Sequence, residues 1–254
     1  MLIAIDIGNS SINIGFFADL GLFIEKIDTK PRRSHSEYFG LLNKLIKEKN
    51  IDKKPEGGII SSVVPGHTRV LKKALKKLTS SEPLIVSYKI NTGLKFDIPN
   101  PEKLGSDRIT NAVAAYEIFK GPVAVIDFGT ATTISVVGKD ANYIGGAIMP
   151  GIGLMNDSLA KGTSKLSKVS FNSTGSALGA DTSTCIKSGL FYGTAGATER
   201  LIQEMEREIG FWLEVVVTGG YSDMVSRFLK RKHVLRQNLT LEGLKIIFSR
   251  NRNA

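Results

Sequence analysis

The feature that most constrains this chain is a turn written twice. Asp6-Ile7-Gly8-Asn9-Ser10 closes the first apolar stretch, and Asp127-Phe128-Gly129-Thr130-Ala131 closes another one 121 residues further on. That offset is close to half of the 254 residues. Each copy follows a short β-branched run, so the pattern predicts a duplicated domain with the same strand-end turn in each half. In such a duplication the two turns face each other across a cleft. The residue types suit a nucleotide there: glycine lets backbone N–H groups approach phosphate oxygens, Asn9, Ser10 or Thr130 adds donors, and the carboxylate holds a cation. One Asp-x-Gly turn alone is also an ordinary hairpin. Two at half-chain spacing carry the argument.

Apolar runs read as buried strands at residues 2–8, 12–17, 57–64, 82–87, 123–129, 132–138 and 213–220. Helical spacing of apolar residues falls between them, over 36–49, 67–78, 107–119, 197–209 and 222–231. Strands and helices alternate in each half, which predicts an α/β class. The turn at Gly121-Pro122, after a helix and before a buried strand, divides the chain into domains at 1–120 and 121–254. Glycine-rich ends at Gly145–Gly151 and Thr218-Gly219-Gly220 bring more backbone close to a ligand, the latter leaving room for an adenine.

Thirty-four Lys plus Arg against 24 Asp plus Glu give a formal charge of +10, which favours anionic partners without choosing among them. The densest basic stretch places Leu71, Ala74, Leu75 and Leu78 on one stripe and Arg69, Lys72, Lys73, Lys76 and Lys77 opposite. That is the pattern of a surface helix, and no aromatic platform for nucleic acid is interleaved. Arg227, Lys230, Arg231, Lys232 and Arg236 read the same way. The single cysteine, Cys185, supplies neither a disulfide framework nor a thiolate zinc cage and reads as small core filler. His35, His67 and His233 show no ligand spacing. The start meets Asp6 after five apolar residues, and no run reaches about 18 apolar residues. These features lead to the expectation of a cytoplasmic chain with no membrane partner.

Between the halves, Leu104-Gly105-Ser106-Asp107-Arg108 opens a helix. Asp107 there suits helix capping as well as chemistry. Beside a triphosphate cleft, however, a carboxylate that takes a hydroxyl proton and an arginine that holds an acidic substrate complete a phosphoryl acceptor site.

Taken in order, DIGNS, SSVVP, NPEKLGSDR, DFGTATT, GGAIMPG, TGG and LTLEGLKIIF resemble the motifs of the type III pantothenate kinases along nearly the whole chain. The resemblance implies the acetate and sugar kinase, heat-shock ATPase and actin superfamily, with a duplicated ribonuclease-H-like fold and ATP in an interdomain cleft. It implies ATP-dependent phosphorylation of pantothenate, the first step of coenzyme A biosynthesis, with Mg²⁺ on the phosphates and potassium or ammonium as monovalent cation. The first phosphate loop is then Asp6, Ile7, Gly8, Asn9, Ser10, Ser11, Ile12 and Asn13. Asp107 is the general base for the pantothenate hydroxyl, and Gly105, Ser106 and Arg108 line the pantothenate site. Asp127 becomes the monovalent-cation ligand and Thr130 an ATP contact. Thr182 matches a substrate-site threonine supplied by the partner subunit, which implies a homodimer with shared active sites. Two stretches depart from the family pattern: Ile98 stands where many members carry an aromatic residue, and LAKGTSKLSKV follows Pro150-Gly151.

Two other readings stay open at this point. One is a kinase of the same fold for another small hydroxy acid. The other is a transcriptional activator, although no helix-turn-helix or zinc-finger pattern supports specific nucleic-acid binding.

Overall fold

The computed structural model describes residues 1–19, 21–51, 53–173 and 175–252. The chain forms two compact units, residues 1–114 together with the segment from Leu239, and residues 115–238.

The first unit opens with an antiparallel meander of β1 (Leu2–Ile7), β2 (Ser11–Ala18) and β3 (Gly21–Asp28). After α1 (His35–Glu48), strand β4 (Gly57–Ser62) adds parallel to β1, and after α2 (Pro65–Thr79), β5 (Leu84–Ile85) adds parallel to β4. The sheet order is β3-β2-β1-β4-β5. A two-residue strand, β6 (Lys95–Phe96), a 3₁₀ turn (Pro101–Lys103) and α3 (Ser106–Phe119) follow.

The second unit repeats the plan. Strands β7 (Val123–Phe128), β8 (Ala131–Val137) and β9 (Asn142–Pro150) form an antiparallel meander, and β10 (Glu214–Thr218) adds parallel to β7 after α4 (Ile152–Gly162) and α5 (Thr182–Ile209). Strand β11 (Val234–Leu235) adds parallel to β10, after the single turn of α6 (Ser222–Val225). Within this six-stranded sheet the five strands β11-β10-β7-β8-β9 follow the order of the first sheet. Helix α7 (Leu239–Arg252) ends the chain. The α/β class and the duplication are those expected from the strand–helix alternation and the repeated turn, and the ribonuclease-H-like architecture is the one the resemblance implies.

The central strands are apolar on both faces because helices cover both. In the first unit Ile3, Ile5, Ile7, Ile12, Ile14 and Phe16 pack on α1 and α2 through Tyr38, Leu42, Leu71 and Leu75. On the other face Ala4 and Ile59 meet Ile109 and Val113 of α3 and Leu241, Leu244 and Ile247 of α7. That packing corrects the expected division at 120/121. The last helix buries its apolar stripe on the first sheet, so residues from Leu239 belong with the first unit, and the boundary falls within α3. The second core gathers Ile126, Phe128, Ile134, Phe191, Leu213, Val215 and Val217.

Several elements differ from expectation. β3 alternates no apolar residues and carries Glu25, Lys26 and Asp28, so periodicity does not mark it. β9 is interrupted by Gly145 and Gly146, both at positive φ. Helix α5 begins 15 residues before the expected 197, its N-terminal half hidden from the periodicity by Gly189, Gly193 and Gly196. The helix expected over 222–231 is only α6 and a 3₁₀ turn, Ser226–Phe228. The Glu199 carboxylate of α5 accepts the amides of Lys230 (2.6 Å) and Arg231 (2.7 Å), holding them outside a helical ladder. Cys185 is exposed in α5 and fills no core.

Candidate active site

In the first unit the sequence-predicted residues gather at the carboxyl ends of β1 and β4, where open α/β sheets bind ligands. The hairpin of β1 and β2 pairs Asp6 with Asn13 and Ile7 with Ile12, which leaves Gly8 to Ser11 as the turn. Gly8 N donates to Ser11 O at 2.9 Å, and Asn13 Nδ2 reaches Asp6 Oδ2 at 3.5 Å. Asn9 and Ser10 are exposed, while Ile7 and Ile12 are buried and anchor the turn in the core. Those two serve as supports. Asp6 also pairs in parallel register with Ser61 of β4.

The start of α3 is fastened to the same strand end. Ser106 is buried, and its Oγ accepts from Ser62 N (2.7 Å), donates to Ser62 O (3.0 Å) and lies 3.2 Å from Ser61 Oγ. A hydroxyl so engaged ties α3 to β4. Beside it, Arg108 N donates to Asp107 Oδ1 at 2.7 Å, and the other carboxylate oxygen has no hydrogen-bond partner among the described residues. A Cβ on Gly105 would lie 2.5 Å from Asp107 Oδ1, so a side chain there would displace the carboxylate. Burial raises the Asp107 pKa, and the amide and charge of Arg108 offset only part of that rise. A half-buried carboxylate with a raised pKa and one free oxygen is equipped to accept a proton.

In the second unit, Asp127 is the penultimate residue of β7, beside Thr133 of β8 and Thr218 of β10. Gly129 N donates to Ala131 O at 3.1 Å and makes the second turn, which carries Thr130. A Cβ on Gly219, at φ +101°, would stand 2.4 Å from Asp127 Oδ1 and 2.6 Å from Phe128 backbone. Backbone thus lies close beside this carboxylate. No cluster of three or more His, Cys, Asp or Glu side chains suited to a metal exists among the described residues.

Thr182 stands exposed in the first turn of α5, next to a capping box in which Thr184 N donates to Asp181 Oδ1 at 2.8 Å. It shares no hydrogen bond with the Asp127 group among the described residues. His67 is buried with its Nδ1 2.9 Å from Tyr38 Oη, a satisfied core histidine. On the basic face of α2, Lys72 and Lys76 pair with Glu82, and Lys77 lies over Phe39. Sequence reasoning missed Thr29, whose hydroxyl reaches the first turn. Only the finding that β3 ends there marks it.

The family model for type III pantothenate kinase matches residues 2–204. A type III pantothenate kinase from Moorella thermoacetica is 36% identical over 253 residues, covering 99% of this chain and all of that one. Another from Desulfatibacillum aliphaticivorans is 38% identical over 259 residues, covering both chains fully. The chain belongs to the type III pantothenate kinase family. Type III pantothenate kinases thus provide the sequence relatives, and more distant solved structures share the fold. One described as a Baf family transcriptional activator from Campylobacter jejuni has a TM-score of 0.61 at 18% identity, with 99% of this chain and 100% of that chain covered. The activator of 2-hydroxyisocaproyl-CoA dehydratase from Clostridium difficile, with bound ADPNP, has a TM-score of 0.56 at 13% identity, with 99% and 96% covered. No described helix is long and apolar enough to cross a membrane.

Proposed function

We propose that this chain transfers the γ-phosphoryl group of ATP to the primary hydroxyl of pantothenate, with Asp107 as general base, as the first step of coenzyme A biosynthesis in the cytoplasm. The observation that carries the residue assignment is the Asp107 carboxylate: one oxygen fixed by Arg108 N, the other uncommitted, and a pKa raised by burial. Phosphoryl transfer passes through a loose transition state, so positioning and charge neutralisation do most of the work and the base adds a smaller share.

In this reading the Asp6–Asn13 turn holds phosphate oxygens through backbone amides and the Asn9 and Ser10 side chains, and Thr130 does so from the second turn. Gly105, Asp107 and Arg108 take the acceptor, with the Arg108 guanidinium on the pantothenate carboxylate. Ser106 contributes by holding the start of α3 on Ser62. Mg²⁺ supplies charge to the phosphates, and potassium or ammonium beside Asp127 adds positive charge, since neither turn carries a lysine. Thr182 completes the acceptor site of a partner subunit. A homodimer is supported by the exposed small-residue face of α5 around Gly189, Gly193 and Gly196, with half-exposed Tyr192 among them, and by exposed Ile148 and Leu178 in the same unit.

The test is ATP consumption with and without pantothenate, in potassium and again in sodium. Turnover that saturates with pantothenate and falls in sodium is expected, and in Asp127→Ala the difference between the two cations should vanish. Turnover with another hydroxy acid but not with pantothenate would assign a different acceptor. An Asp127→Ala enzyme that responds to potassium like the parent would place the cation elsewhere.

A further inference from the structure

We infer that the residue following the third strand of each unit, Thr29 in the first and Gly151 in the second, sets the conformation of the phosphate turn beside it, and that Thr29 is a positioning residue for ATP. The inference rests on the reading of Asp6–Asn13 as the first phosphate loop.

Thr29 directly follows β3 and is 2% exposed. Its Oγ1 donates to Gly8 O at 2.8 Å, and its amide donates to Ser10 O at 3.2 Å. One residue therefore grips two carbonyls of the turn from one side. A trans peptide is planar, with C=O and N–H pointing in opposite directions. Holding the Gly8 and Ser10 carbonyls toward Thr29 consequently turns the Asn9 and Ser11 amides away from it. Neither amide donates to a turn or loop carbonyl among the described residues. Two N–H groups pointing away from a fixed anchor are what a phosphate oxygen needs.

The duplication supplies an independent check. Gly151 directly follows β9, the counterpart of β3, and its amide donates to Thr130 O at 3.1 Å, as Thr29 N does to Ser10 O. A Cβ on Gly151 would lie 2.3 Å from Gly129 O and 2.5 Å from Thr130 O. The same place is thus used differently in the two halves. In the first, a side chain reaches Gly8 O through a hydroxyl. In the second, the shorter turn sits so close that only glycine fits. The carbonyl just before the second strand, Ser10 O or Thr130 O, accepts a hydrogen bond from this residue's amide in both.

Thr29→Val keeps the shape of the side chain and removes the hydroxyl, leaving Gly8 O without its partner. The expected result is a rise of about tenfold in KM for ATP, with KM for pantothenate within experimental scatter of the parent, the melting temperature lowered by no more than a few degrees, and recovery of both in Thr29→Ser. Direct ATP binding by calorimetry should weaken by the same factor. Gly151→Ala, which forces the second turn to move, should also raise KM for ATP. Asp6→Asn reports on the loop itself and separates two ways of failing. If Asp6→Asn weakens ATP while Thr29→Val does not, the loop binds ATP and the positioning role is wrong. If neither changes ATP affinity, the phosphate-loop reading falls and the inference falls with it. If Thr29→Val lowers the melting temperature by more than a few degrees and raises both KM values together, or Thr29→Ser fails to recover, the threonine is merely structural and the inference is overturned.

Discussion

Asp107, the proposed general base, also holds a place in the local fold. It lies in the first turn of α3, where a carboxylate favours the helix dipole, yet burial raises its pKa. The sign of the consequence is definite. A base must be ionised to act, so kcat/KM should fall as pH drops through the raised Asp107 pKa, placing the acid limb above the usual aspartate value of about 3.9. A limb at or below that value would contradict the assignment. Because the folded form binds this proton more tightly than the unfolded chain, ionising Asp107 lowers stability as pH rises through its folded pKa. Asp107→Asn should therefore melt no lower than the parent at neutral pH. From the sequence, the Asp107 position was legible because Gly105, Ser106 and Arg108 surround it. The work of Ser106 was not, since its tie to Ser62 is a contact between residues 44 apart in the chain.

Elements were legible where periodicity was strong. β1, β4, β7 and β10 are apolar runs covered on both faces, and α1 and α2 carry clear stripes. β3 and the start of α5 were not, because one carries charges and the other glycines, and tertiary contacts fix both. The end of α5 illustrates such a contact. Burial works against ionisation of Glu206, but hydrogen bonds from Arg231 and the Leu213 amide outweigh it and hold its pKa down. Arg231 Nη1 lies 2.9 Å from Glu206 Oε2, Leu213 N donates to Oε1 at 2.7 Å, and the Trp212 ring lies 3.7 Å from the guanidinium carbon. The pair joins α5 to the start of β10. Glu206→Gln leaves the arginine without its counter-charge and should cost about 3 kcal/mol in urea unfolding. With its pKa held down in the folded state, Glu206 stabilises above the ordinary glutamate pKa and loses that effect as pH falls, so the difference between parent and variant should shrink on acidification. A difference that does not change with pH would remove the ion pair from the account.

For the whole molecule, the repeated turn was the most informative stretch of sequence: it forecast two sheets of one plan, and five strands follow the same order in both. The boundary was misplaced because α7 returns to the first sheet, a long-range event that no local pattern marks. The proposed sharing of sites between subunits belongs to this scale, and subunit mixing tests it. Asp107→Asn and Thr182→Trp homodimers should each be nearly inactive, while co-refolded mixtures should regain roughly a quarter of wild-type activity, because a two-fold dimer gives half heterodimers with one intact site of two. Heterodimers seen by mass spectrometry without activity would confine the site to one chain or to other partner residues. The central claim, that Asp107 takes the pantothenate hydroxyl proton during phosphoryl transfer from ATP, is tested most directly by following 4′-phosphopantothenate formation by phosphorus NMR in the parent and in Asp107→Asn. The account predicts product from the parent and a rate at least about 10²-fold lower in a variant that still folds and binds ATP. Product formed by Asp107→Asn at the parental rate would contradict it and leave Asp107 as a helix-capping acid.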